Sequence, residues 1–228
     1  MSHLENLTRI KVVYDALEEL GDQVIFVGGA TVSLYGDKVS AEIRPTYDVD
    51  ILIELIDYNG YAGIEEKLRN KGFVNDWESG VICRYKVQGI IVDVMPTSEK
   101  ILGFTNRWYK DGYSKANQYK IDNKYTVKIF SPEYFLAAKL EAFHDRGKGD
   151  GRMSTDFEDI VYILNNRTAI WKELTVSEKN LKQYMQEEFI KLLDQKYIGE
   201  WISAHLEYVE KEREYFIIGS MQEFVDMI

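Results

Sequence analysis

Two aspartates, Asp48 and Asp50, stand inside the run Tyr47-Asp48-Val49-Asp50-Ile51-Leu52-Ile53-Glu54, and a third, Asp93, interrupts Ile90-Ile91-Val92-Asp93-Val94. The first run alternates at period two. On a strand both carboxylates therefore leave one face, about 7 Å apart, while Val49 and Ile51 leave the other. Carboxylates rarely bury without a partner, and two on one face repel unless a cation or a donor sits between them. Hard divalent cations suit oxygen ligands, and Mg²⁺ in particular takes one or two carboxylates together with substrate phosphates. Three carboxylates on two Mg²⁺ ions would orient an attacking oxygen and a leaving phosphate for in-line displacement. Upstream, Gly28-Gly29 follows the apolar run Val24-Ile25-Phe26-Val27. Glycines at a strand-to-helix turn let backbone N–H groups approach a phosphate, and the dipole of the following helix favours the anion.

The elements that must position these residues can be read from periodicity. Leu4, Leu7, Ile10, Val13 and Leu17 recur at helical spacing ahead of Gly21, which predicts an opening helix. Val24–Val27 reads as a strand and Ala30–Tyr35 as a short helix ending at Gly36. A loop of about fifteen residues through Arg44-Pro45-Thr46 leads to the Asp48 strand. Ile64–Asn70 reads as a helix closed by Lys71-Gly72, and Val81–Val87 as a strand pairing with Ile90–Met95 across Gln88-Gly89. Tyr125–Phe130 is a further predicted strand. Ser131-Pro132-Glu133 supplies an N-cap serine and a proline at the first helical position. From there the pattern is helical: Leu136, Leu140 and Phe143, then a capping box of Thr155 with Glu158, then Leu181–Ile202 and Tyr208–Ile228. The expected architecture is an α/β (α+β) domain with a mixed sheet over residues 1–130, followed by an α-helical domain over residues 131–228.

Phe26-Val27-Gly28-Gly29-Ala30, then Arg44-Pro45-Thr46-Tyr47-Asp48-Val49-Asp50-Ile51, then Asp93, together resemble the nucleotidyltransferase superfamily of DNA polymerase β-like fold. Ser131–Leu140 and Asp156-Phe157-Glu158-Asp159-Ile160 are similar to the downstream helical motifs of abortive-infection toxin-type bacterial nucleotidyltransferases, found in toxin-antitoxin systems. The resemblance covers roughly residues 24 to 165 and joins four ordered motifs. It implies Mg²⁺-dependent transfer of a nucleoside monophosphate from an NTP to an acceptor hydroxyl, in a cleft between the two domains. Asp48, Asp50 and Asp93 would be catalytic and would ligate Mg²⁺, two ions in all, with Asp93 as third ligand or as base. Gly28, Gly29 and Thr31 would hold the nucleotide, Lys139 would reach its phosphates, and Asp159 or Asp156 would serve the helical side. The implied acceptor is tRNA or a protein, with an antitoxin as possible partner. The alternatives are an aminoglycoside-type antibiotic nucleotidyltransferase acting on a small hydroxylated molecule, and a nucleotide-binding interaction module without turnover.

Each residue also has a plainer reading. Asp48 and Asp50 could form the outer face of an antiparallel strand, and Asp93 could discourage edge pairing. Lys139 could snorkel from a buried helix, and Asp156 sits where the helix dipole favours an acid. His144 reads as a capping or solvent residue, and one cysteine with three scattered histidines makes zinc improbable. Arg107, Trp108, Tyr109, Lys110, Tyr113, Lys115, Tyr119, Lys120 and Lys124 interleave cations with rings, which would suit a single-stranded RNA end or an ordinary solvated segment. Across 228 residues, 28 basic against 38 acidic side chains give a net charge of -10. No global positive field therefore draws the chain to nucleic acid or anionic lipid. The lone Cys83 excludes an internal disulfide. No apolar run nears the ~20 residues of a membrane helix, and no basic segment followed by an apolar core opens the chain, so a cytoplasmic protein is expected.

Overall fold

The computed structural model describes residues 2–37, 43–55, 58–147, 149–207 and 212–227. The chain divides into two compact units, one of residues 1–34 and 39–131 and one of residues 35–38 and 132–228.

The first unit is a seven-stranded mixed sheet with helices. It runs α1 (Ser2–Leu17), β1 (Val24–Val27), β2 (Asp48–Ile53), α2 (Tyr58–Asn70), β3 (Val74–Asn75), β4 (Arg84–Val87), β5 (Ile90–Pro96), α3 (Glu99–Leu102), α4 (Tyr109–Ser114), β6 (Asn117–Lys120) and β7 (Thr126–Ile129). The strand order is β3-β4-β5-β2-β1-β7-β6. β2 runs parallel to β5 and antiparallel to β1, and β1 runs parallel to β7. β4 and β5 form the expected hairpin, although β4 starts at Arg84 and leaves Val81–Cys83 outside it. Its two turn residues, Gln88 and Gly89, both have positive φ, 48° and 80°. That is the turn whose twist matches paired strands.

Local departures from the expected elements have physical causes. α1 stops at Leu17, and a 3-10 helix carries the chain from Glu18 to Gln23 through Gly21. Of the expected apolar stripe, Ile10, Val13 and Leu17 are fully buried while Leu4 is exposed, and Asn6 takes an inner position beside them. The segment after Gly28 is also a 3-10 helix, Gly29–Leu34, with every residue buried. β2 is two-faced only at its start. Asp48 and Asp50 are half-buried beside a buried Val49, whereas Ile51, Leu52 and Ile53 are all buried, so the sheet is covered on both sides there.

The second unit comprises α5 (Pro132–Arg146), α6 (Thr155–Asn166), α7 (Ile170–Val176), α8 (Lys179–Leu193), α9 (Ile198–Ser203) and α10 (Arg213–Val225). α5 starts on the proline alone, because the Ser131 hydroxyl is buried without a hydrogen-bond partner and caps nothing. α6 is capped one residue earlier than the box predicts, by Ser154 accepting from the Phe157 N–H. The expected C-terminal helix is described from Arg213; Tyr208–Lys211, Ile228, Lys148 and the loop residues Lys38–Glu42 lie outside the described residues. Phe143 and Trp201 pack against Phe157 in tilted and edge-to-face arrangements, at ring distances of 5.1 and 5.7 Å, in the core of this unit.

Candidate active site

Strand register assembles the aspartates. Val27 lies opposite Asp50, Asp50 opposite Asp93, and Asp93 opposite Arg84, one row across β1, β2, β5 and β4. Directly opposed residues leave the same face of a sheet. Asp48, two positions before Asp50, shares that face.

Arg84 organises this row. Its Nε donates to Asp93 Oδ1 at 2.8 Å and its Nη2 to Asp93 Oδ2 at 2.7 Å, a two-pronged pair, while Nη2 also reaches Asp48 Oδ2 at 3.4 Å. The Asp93 side chain is 12% exposed and that of Arg84 22%, against 39% for Asp48. Hydrogen bonding to Asp93 drives the guanidinium still further up from its ordinary value, so it is a permanent cation. Cys83 is its buried neighbour. Burial first, and then the charges of Asp93 and Asp50, push the Cys83 thiol up to about 11, which leaves it protonated and inert as a nucleophile.

The glycine turn abuts Asp50. Gly28 adopts φ +71°, and a Cβ there would stand 1.8 Å from Asp50 Oδ2. The missing side chain is thus the space that the Asp50 carboxylate fills. A Cβ on Gly29 would stand 2.8 Å from Thr46 Cγ2 and 3.0 Å from Arg44 Nη2, so the Arg44 guanidinium lies against the turn. Thr31 is fully buried, and its hydroxyl donates to the Gly28 carbonyl at 2.9 Å, closing the turn from below. The segment bearing Arg44 is tied to α1. The fully buried Asn6 accepts from the Thr46 N–H and hydroxyl, both at 3.2 Å, and donates to the Arg44 carbonyl at 3.4 Å. Arg9 donates to the Thr46 carbonyl.

Asp48 and Asp50 offer hard oxygen donors on one face, with room made by Gly28, and this suits Mg²⁺ completed by water and phosphate oxygens. Among the described residues, no three His, Cys, Asp or Glu side chains converge closely enough to hold a metal unaided. Asp93 faces Arg84 instead of joining such a group.

Lys139 and Asp159 belong to the second unit, where they meet each other. The Lys139 ammonium lies 2.6 Å from Asp159 Oδ2 and 3.1 Å from Asp156 Oδ1, all three side chains being almost fully buried. Arg146 completes the cluster with two bonds to Asp156, at 2.6 and 2.8 Å. Burial pulls the Lys139 pKa down, but Asp159 and Asp156 outweigh it and the net direction is up. Burial likewise raises Asp156, and the Arg146 and Lys139 contacts reverse that to a net lowering. His144, on the same helix as Lys139, faces solvent as expected, with its side chain 41% exposed, and pairs with the buried Glu188.

Part of the stretch of interleaved cations and rings packs against acids and a carbonyl of neighbouring segments. Lys11 pairs with Asp122 at 2.6 Å, Tyr125 donates to Asp15 at 2.6 Å, Lys124 lies 3.5 Å from Asp15, and Lys128 donates to the Asp22 carbonyl. Trp108 is buried beneath the Arg107 guanidinium. Among the described residues no helix is long and apolar enough to cross a membrane.

The chain matches no protein-family model and no curated protein. The site therefore rests on its own geometry. Arg84 and Arg44 are its two members that residue types alone did not single out as functional. A cation one strand away from an in-strand aspartate was the available signal for Arg84, readable once the Gln88-Gly89 turn fixes the pairing.

Proposed function

We propose that the chain is a nucleotidyltransferase of DNA polymerase β-like fold, moving a nucleoside monophosphate from an NTP to an acceptor hydroxyl. The observation that carries this reading is the meeting of Asp50, whose strand presents Asp48 on the same face, with the Gly28-Gly29 turn, where Asp50 fills the Cβ space of Gly28 and Arg44 lies against Gly29. In this reading Asp48 and Asp50 hold Mg²⁺, which when bound would neutralise phosphate charge. The turn backbone receives the triphosphate, and the Arg44 fork suits phosphate oxygens better than a lysine would. The acceptor oxygen bonds to the α-phosphorus, the α–β bridging P–O bond breaks, pyrophosphate leaves with the electron pair, and the hydroxyl proton passes to water. Lys139 and Asp159 then act as a buried ion pair that shapes the helical unit.

For the acceptor, a toxin-like reaction on tRNA or a protein is the first reading. A cationic hydroxylated small molecule of aminoglycoside type is the second, favoured by the acids that already engage Lys11 and Lys124 and by the net charge of -10.

Calorimetric titration with each NTP, with and without Mg²⁺, tests the reading. Binding should require Mg²⁺ and disappear in Asp48→Asn, whose circular dichroism and melting stay those of the parent because a half-exposed side chain is changed. NTP binding that ignores both Mg²⁺ and Asp48→Asn would overturn it, as would no binding at all.

A further inference from the structure

We infer that Arg84 stands in place of a second metal ion, so that the aspartate row takes one divalent cation per chain; this rests on the nucleotidyl-transfer reading above. Asp50 and Asp93 are directly opposed on neighbouring parallel strands, with Asp48 beside them. Like charges so placed need a cation among them. The guanidinium supplies it. Both oxygens of Asp93 are engaged, at 2.8 and 2.7 Å, by donors of one rigid planar fork. The pair is partly withdrawn from water, with Asp93 12% and Arg84 22% exposed.

A cation bridging Asp50 and Asp93 would have to strip Asp93 from that fork and then sit against a fixed positive charge. Asp48 differs. Its contact with Arg84 is single, longer at 3.4 Å, and made by a side chain 39% exposed. It can therefore serve a cation while the Arg84–Asp93 pair stays closed. Arg84 is thus a positioning residue that sets metal stoichiometry, and Asp93 acts as its anchor rather than as a ligand.

The test counts Mn²⁺ bound to the full chain by electron paramagnetic resonance of the free ion, with Mn²⁺ and a non-hydrolysable NTP analogue as the probe, because two carboxylates need phosphate oxygens to complete the site. The parent should hold one Mn²⁺, lost in Asp48→Asn. Arg84→Gln should hold two, because the freed Asp93 then joins Asp50. Arg84→Lys, which keeps the charge, should stay at one. Asp93→Asn guards against a misfolded Arg84 variant: it leaves the guanidinium unanswered beside Asp48 and should weaken the single Mn²⁺ without adding a second. Two ions on the parent, one on a folded Arg84→Gln, two on Arg84→Lys or two on Asp93→Asn would each overturn this inference alone. No Mn²⁺ on the parent, or one indifferent to Asp48→Asn, would overturn the nucleotidyl-transfer reading as well.

Discussion

A methyl group at Gly28 would meet two obstacles at once: a backbone at φ +71° and a carboxylate oxygen 1.8 Å from where the carbon would go. The first costs about 1–3 kcal/mol for a residue with a side chain. The second cannot be relieved without moving Asp50, one of the two proposed Mg²⁺ ligands. Gly28→Ala should therefore lower the free energy of unfolding in urea by about that amount and abolish Mg²⁺-dependent NTP binding. Parent-like stability together with parent-like binding would show that Asp50 does not depend on the turn. Thr31 is different in kind. Its hydroxyl is spent on the Gly28 carbonyl, so within the proposed nucleotide site its part is to hold the turn closed.

Among the elements, α1 holds the site as much as the strands do. Asn6 points three hydrogen bonds at residues 44 and 46 from a position with no exposed surface. Asn6→Ala would leave the Thr46 N–H and hydroxyl buried without this partner, a loss of about 1–3 kcal/mol. It should also speed hydrogen exchange at the Thr46 amide and weaken NTP binding through Arg44. Exchange at Thr46 as slow as in the parent would show that the segment is held by other contacts.

Five of the seven strands were legible in the sequence, because alternation around Val49 and Ile51 and the Gln88-Gly89 turn each depend on neighbours a few residues away, whereas the two-residue β3 and the polar β6 carry no such pattern. The sharing of one face by Asp48 and Asp50 was legible too. Arg84 was half legible, since the hairpin turn sets it opposite Asp93, but its reach to Asp48 follows from the pairing of β5 with β2, which sequence does not give. The Lys139 cluster was half legible. Helical spacing places Lys139 and Asp159 on separate helices, but only packing shows that each is the other's counter-ion. Leu4 and Asn6 show the limit of periodicity, for the apolar residue faces water and the amide faces inward.

At the scale of the whole molecule, two carboxyls tie the fold to pH. Asp156 is held below the ordinary carboxylate range in the folded chain, and the exposed Asp122 is lowered to about 2 by Lys11 first and then by the N–H groups of Lys124 and Tyr125. A carboxyl lowered by folding stabilises the fold above its unfolded pKa, and that stability is lost as the pH falls through the folded value. Melting temperature should thus be level at neutral pH and fall as pH drops below about 4. Asp156→Asn mimics the protonated state. Its deficit in melting temperature against the parent should be largest near pH 7 and shrink steadily toward pH 3. A deficit independent of pH would show that Asp156 contributes through shape and hydrogen bonding rather than charge.

The tight hairpin of β4 and β5 also bears on the order in which the chain assembles. Arg84 and Asp93 are nine residues apart, whereas Arg84 and Asp48 are separated by thirty-six. Short loops close first, and hairpins form on a scale of about 1–10 microseconds. The Arg84–Asp93 pair therefore needs only its own hairpin to close and not β2. Asp48 and Asp50 are laid alongside a carboxylate whose charge a local contact answers, so the row does not depend on a distant segment to keep Asp93 from standing bare beside them.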